Sequence, residues 1–385
     1  MRRYRFADFA PAVLSLLALA GCTAFGGARA WQESPWRWAA PRTTYIQRSQ
    51  VWLGGDLYAW VEHMRGLDLR AGPNGDDAFA FEDLVRCELA QSPVSVGGAT
   101  PKFLCQRQRN GTADVFKVKW GADNGEVYAE VVGTRLFWAL GFASDSVYPV
   151  RVECTGCADD PWRDRELHEG HVPDLFAPAV IEREFPGSTM EEGRDQGWTW
   201  AEFRTIDPAL GGAPRAHTEA MQLLAAFVQH RDSKADNQRL VCLLDGVTAG
   251  ASGRSDCLRP VMMIHDMGSM FGGPSLFGTH KMDLDAWSSE PLWRNAERCI
   301  ANLHSERDAS DGLEEPHIDE EGRLFLLALL DALDQDQIAA LFDAARAGER
   351  GGVSRWVAAF EQRREQVRHP VPSDPSFRCA DRPLR

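Results

Sequence analysis

Along residues 114–121, DVFKVKWG, apolar side chains alternate with Lys117 and Lys119, the two-residue period of a β-strand. A few residues on, the period changes. Val127, Glu130, Val131, Thr134, Leu136, Phe137 and Leu140 recur at helical spacing within 126–142, and Gly141 is placed to cap that helix. Residues 146–154 and 178–185 read as two further strands, and GGATPKF (97–103) and RNGT (109–112) as turns. Beyond these, the pattern is helical. Residues 217–230 are amphipathic, 320–333 and 336–348 form a helical pair, and 353–368 closes the chain. Asp334 is an N-cap candidate, with Gln337 three residues on in capping-box position. Residues 23–75 carry Gly, Pro, Trp and Arg with little periodicity and read as a tether and N-terminal extension. The pattern predicts an α+β chain, a small sheet with one helix followed by a mostly helical half. No internal repeat and no low-complexity tract appears.

The chain has 385 residues, enough for a two-lobed domain or two modest ones. Its net charge is −14, with no basic block beyond the first five residues. A binder of phosphate backbones needs a concentrated basic surface, so nucleic acid is not an expected partner. Residues 1–22 differ from the rest. MRRYR supplies positive charge, FAPAVLSLLALA is too short an apolar run for an ordinary spanning helix, and LAGC ends at Cys22. This resembles the lipobox of bacterial lipoproteins. The resemblance implies a signal peptide over 1–22, a lipid on Cys22, and a cell-envelope location. With Thr23 next, it implies the outer membrane. A plain cleaved secretory signal is the competing reading.

Eight further cysteines remain, at 87, 105, 154, 157, 242, 257, 299 and 379. An even number on an exported chain implies disulfides. Cys242 with Cys257 is the best single pair, because they flank a Gly/Ser-rich turn segment. CTGC (154–157) before HEGH (168–171) also has the spacing of a Cys2His2 zinc site, set against the plainer reading of disulfides and two surface histidines.

The stretch FVQHRDSKADNQRLVC contains H-R-D-x-K-x-x-N: His230, Arg231, Asp232, Lys234 and Asn237. It resembles the catalytic loop of protein kinases. Downstream, MMIHDMGSMFG ends in Asp266-Met267-Gly268, similar to the kinase magnesium motif. The added separation is accounted for by a looped-out segment between Cys242 and Cys257, since loop extension costs little entropy. Upstream, KVKWG resembles the strand with the phosphate-binding lysine, EVVGTRLFWALGF the helix with its glutamate partner, and VIEREFPGST the hinge. The glutamate helix is similar to that of HipA-like kinases, and FKVK to strands of lipid and secretory-pathway kinases. There is no GxGxxG, and SEP at 289–291 is a weak echo of Ala-Pro-Glu.

The resemblance implies a two-lobed protein-kinase-like fold, with a β-rich N-lobe carrying one helix over 76–185 and a larger, mainly helical C-lobe over 186–385. It implies ATP and Mg²⁺ as cofactors. Lys119, or as competitor Lys117 on the same strand face, would contact phosphate, and Glu130 would hold that lysine. Gly97, Gly98 and Thr100 belong to a candidate phosphate-covering turn, and the backbone near Glu184 and Phe185 would meet the adenine. Asp266 and Asn237 would hold metal, Asp232 would take the acceptor's proton, and Lys234 would steady the transferring phosphate. His230 reads as a structural loop residue. Singly, each has a plainer reading: lysines of an edge strand, a solvated helix glutamate, turn-forming aspartates. Their joint order carries the case. The implied activity is phosphoryl transfer to a hydroxyl of a protein, sugar or lipid. The alternatives are an inactive kinase-shaped binding lipoprotein, an AMP transferase, or a structural envelope protein.

Overall fold

The computed structural model describes residues 37–91, 97–98, 100–172, 174–190, 197–250, 253–272, 282–303 and 316–380. The leader, Cys22 and the start of the expected tether lie outside the described residues. Among them, no helix is long and apolar enough to cross a membrane.

Asn110 and Gly111, with φ of 51° and 80°, turn strand β2 (Lys102–Arg109) into β3 (Thr112–Trp120). Two positive φ values in a two-residue loop are what a tight hairpin needs. Strands β4 (Ser146–Thr155) and β5 (Asp174–Arg183) form a second antiparallel pair. Strand β1 (Asp83–Leu89) pairs antiparallel with β2 and parallel with β4. That parallel pairing closes the expected small sheet into a barrel of order β1–β2–β3–β5–β4. Its interior is apolar, including Val85, Phe103, Phe116, Val118, Val150, Val152 and Ile181.

Helix α3 (Glu126–Ala139) follows β3, after two short helices described below. All its residues but Trp138 are buried, so it has no solvent face. It ends as the sequence predicts. Gly141 has φ 84°, its N–H donates to Trp138 O at 3.0 Å, and Phe142 N–H donates to Phe137 O at 2.9 Å. These are the two bonds of a Schellman motif. The apolar side chains of α3 belong to one large core shared with the helices α4 (Arg215–Phe227), α5 (Leu284–Ser289), α6 (Glu320–Asp331), α7 (Gln335–Ala344) and α8 (Val353–Arg368). The Asp334–Gln337 capping box at the start of α7 is present in both directions. The chain is thus a mixed α+β structure.

Of the segment 23–75, read as a tether and N-terminal extension, the described part is no loose tether. From residue 38 on it packs into the main core through Trp38, Tyr45, Ile46, Val51, Trp52 and Met64. It holds helices α1 (Arg42–Gln47) and α2 (Leu57–Met64), the second capped by Asp56. Short helices separated by turns leave no run long enough for periodicity to register.

Four disulfides join Cys87–Cys105, Cys154–Cys157, Cys242–Cys257 and Cys299–Cys379. The expected 242–257 pair is among them, closing a looped-out hairpin of β8 (Val247–Ala249) and β9 (Ser255–Cys257). The zinc alternative does not hold. Cys154 and Cys157 bond each other, His168 bonds Asp164 at 3.0 Å, and His171 pairs with Asp174 at 3.5 Å. Cys299–Cys379 spans a sequence separation of 80. Loop-closure entropy assigns such a crosslink about 4 kcal/mol. Replacing both cysteines by alanine should lower the unfolding free energy by roughly that amount in a denaturant titration.

Candidate functional site

Strands β7 (Gln238–Cys242) and β10 (Pro260–Ile264) pair antiparallel, Gln238 opposite Ile264 and Cys242 opposite Pro260. Residue 237 therefore enters the ladder at the end where residues 265 and 266 leave it. The Asn237 carbonyl accepts from His265 N–H at 2.9 Å and Asp266 N–H at 3.1 Å. Its side-chain Nδ2 donates to the Asp232 carbonyl at 2.7 Å. Three hydrogen bonds thus tie Asp232, Asn237 and Asp266 together, although 34 positions separate the first from the last. The Asp232 carboxylate is half-buried, and Lys234 Nζ lies 3.1 Å from both its oxygens.

The loop itself is held from behind. His230 is fully buried, and burial pushes its imidazole down to about 4, so it is neutral. Arg231 pairs with Glu290 of the SEP segment. Buried Arg363 on α8 donates to the carbonyls of Ala226 at 2.9 Å and Phe227 at 2.8 Å, and to those of Trp287 and Glu290. It thereby satisfies carbonyls left open at the end of α4, where the helix stops and the loop starts.

On β3, Phe116 and Val118 enter the barrel core, so Lys117 and Lys119 share the other face. Helix α3 covers that face at Lys119, which is 2% exposed. Its ammonium pairs with Glu130 and, at 2.9 Å, with Glu126 Oε2. Lys117 instead pairs with Glu182 Oε1 at 2.5 Å. Burial alone would lower the Lys119 pKa, but Glu126, Glu130, Asp266 and Glu182 raise it well above the ordinary value. Burial pushes Glu130 up to about 8, and Glu126, Asp266 and Glu182 add to the shift against the pull of Lys119. Asp266 goes the other way. Burial opposes its charge, yet Lys119, the Gly268 N–H at 3.0 Å, His265 and Lys102 hold it far below the usual carboxylate range. Gly133 of α3 lies against Met267 and Met270, where an added Cβ would meet their sulfurs at 3.1 and 3.0 Å. The Asp266 segment therefore rests directly on the helix that carries Glu130.

The remaining candidates sit around this centre. Gly98, at φ 99°, folds over the Lys102 ammonium, and Thr100 is buried. Gly97 is described beside them, and Ala99 of the same turn lies outside the described residues. Glu184 is exposed. The Phe185 N–H donates to Asp145 Oδ1 at 2.7 Å. The Phe185 amide is thus engaged within the chain.

Several residues of the site were not anticipated. Glu126 stands one helical turn before Glu130, so its shared face was readable from the four-residue spacing. Lys102, Glu182, Asp145 and His265 carried no such signal. Asp145 meets His265 across 120 positions and Lys102 meets Glu126 across a turn and a strand. Gly197 is another. At φ 63°, an added Cβ would fall 1.7 Å from Ala235 O and 2.1 Å from Gln238 O. These carbonyls flank Asn237. Gly197→Ala should displace that turn and cost more than about 2 kcal/mol, read as a drop in thermal midpoint.

No protein-family model matches the chain, and comparison with curated proteins finds no match. Among solved structures it is similar to that of a Helicobacter pylori proinflammatory kinase, CtkA, at 11% identity and a TM-score of 0.38, over 75% of this chain and 94% of that one.

Proposed function

We propose that this chain is an ATP- and Mg²⁺-dependent phosphotransferase acting on a hydroxyl acceptor. The observation that supports it is one buried constellation, Lys119 paired to Glu130 beside Asp266, with Asp266 tied through Asn237 to Asp232. A phosphoryl transfer needs polyphosphate charge held and neutralised, with little covalent help from protein. The donor set suits a hard cation. Asp266 is ionised, and the Asn237 amide nitrogen is engaged, which leaves its amide oxygen for a metal. Mg²⁺ bound there supplies positive charge against the phosphate oxygens. Lys119 would bind phosphate, with Glu130 and Glu126 fixing the ammonium's position. Asp232 would orient the acceptor hydroxyl and take its proton, and Lys234 beside it would steady the phosphoryl oxygens. The turn at Gly97, Gly98 and Thr100 would cover the phosphates, and Glu184 would lie at the base.

The same reading includes export, a lipid on Cys22, and an acceptor in a protein, sugar or lipid headgroup. The test uses purified mature chain. ATP should raise the thermal midpoint in the presence of Mg²⁺ and much less without it. Label in the γ-phosphate should pass to an acceptor while label in the α-phosphate does not. Transfer of α-label would make the chain an AMP transferase. Binding without transfer of either label would make it a binding protein. No nucleotide-dependent shift at all would sink the reading.

A further inference from the structure

Lys102 is a cation of this centre to which the reading above gives no task. It opens β2, and it is almost fully buried. The β2–β3 register sets Lys102 directly opposite Lys119. Like charges at directly opposed positions of an antiparallel pair repel, and burial adds the cost of lost water to each. Lys119 is compensated by two glutamates. Lys102 is not compensated to the same degree, because its partner Glu126 Oε2 is 3.8 Å away, beyond hydrogen-bond range, and is already bonded to Lys119 at 2.9 Å. Gly98, held at a φ of 99° that favours glycine, comes close to this ammonium: a Cβ there would lie 2.6 Å from Lys102 Nζ. Beside it, the buried Thr100 Oγ1 has no hydrogen-bond partner among the described residues. The charges near Lys102 include Lys119, Glu126, Lys117 and Asp266.

From this geometry we infer that Lys102 is a second polyphosphate-binding lysine, which with Lys119 grips a di- or triphosphate on the face that β2 and β3 share, beside Gly98. An anion between two opposed ammonium groups converts their repulsion into shared attraction. The inference rests on the phosphotransferase reading and adds to it. The sequence has no GxGxxG run, and an ammonium from the strand that follows Gly97 and Gly98 adds positive charge at that place. The competing role is a plain counter-ion to Glu126.

The two roles separate by ligand discrimination. Binding of Mg-ATP, AMP and inorganic tripolyphosphate is measured by calorimetry on the full mature chain, its Lys102→Met variant and its Lys102→Arg variant. Lys102→Met should weaken ATP and tripolyphosphate at least tenfold and AMP less than twofold, and Lys102→Arg should restore most of the loss. Equal weakening of all three ligands, or of none, overturns the assignment. Should Lys102→Met fail to fold, acylation of lysines in the unmodified chain decides. Tripolyphosphate should slow modification of Lys102, and an unchanged rate overturns the assignment. If the unmodified chain binds tripolyphosphate and ATP while Lys102→Met binds them equally well, Lys102 alone falls. If the unmodified chain binds neither, the phosphotransferase reading falls and takes this assignment with it.

Discussion

Asp266→Asn should lower phosphoryl transfer by about a thousandfold or more and remove the Mg²⁺-dependence of nucleotide binding. The substitution keeps shape and takes away the one carboxylate in the centre that is held ionised by two lysines and a backbone N–H. Stability at neutral pH should change little, for a specific reason. Glu130 is pushed up to about 8, first by burial and then by the charges of Glu126, Asp266 and Glu182. When the charge at 266 goes, one of those repulsions goes with it. Glu130 and Glu126 both remain as partners of the Lys119 ammonium. The check is a pair of measurements, thermal midpoint and calorimetric binding of ATP with and without Mg²⁺. A variant that binds Mg-ATP as the unmodified chain does would remove Asp266 from the metal site.

Asp232→Asn should lower turnover by about 10²- to 10⁴-fold and leave nucleotide binding within a few-fold. The two effects part because Asp232 contributes through different atoms. Its backbone carbonyl accepts from Asn237 Nδ2, and that bond survives the substitution. The Asn237 carbonyl then still holds the amides of 265 and 266. Only the carboxylate is lost, the group beside Lys234 that is open to an acceptor. Steady-state kinetics set beside calorimetry reads both. Turnover unchanged in Asp232→Asn would show that another group handles the acceptor's proton.

Elements with long regular periods are legible in the residue pattern. The strand at 114–121, the helix from 126 with its Gly141 terminus, the 334–337 capping box and the helix at 353–368 all follow from local rules, because side-chain spacing and cap chemistry act within a few residues. The loop of His230 to Asn237 is legible for another reason, since five polar positions in eight follow a spacing tied to one chemistry. The N-terminal packing segment is not legible. Trp38, Trp52 and Met64 reach the core from short elements, and no period marks them.

By itself, then, the sequence determined the long regular strands and helices and which loop carries the polar cluster, because those depend on neighbours along the chain. Tertiary structure alone decided the barrel's closure by a parallel β1–β4 pair, the choice of Lys119 over Lys117 as the partner of Glu130, and the presence of Lys102, Glu182 and Asp145 at the centre. These are matters of register and of charge placed in a buried space. An ammonium goes where burial leaves it a carboxylate, and which carboxylate that is depends on how strands and helix are stacked, which no local pattern encodes.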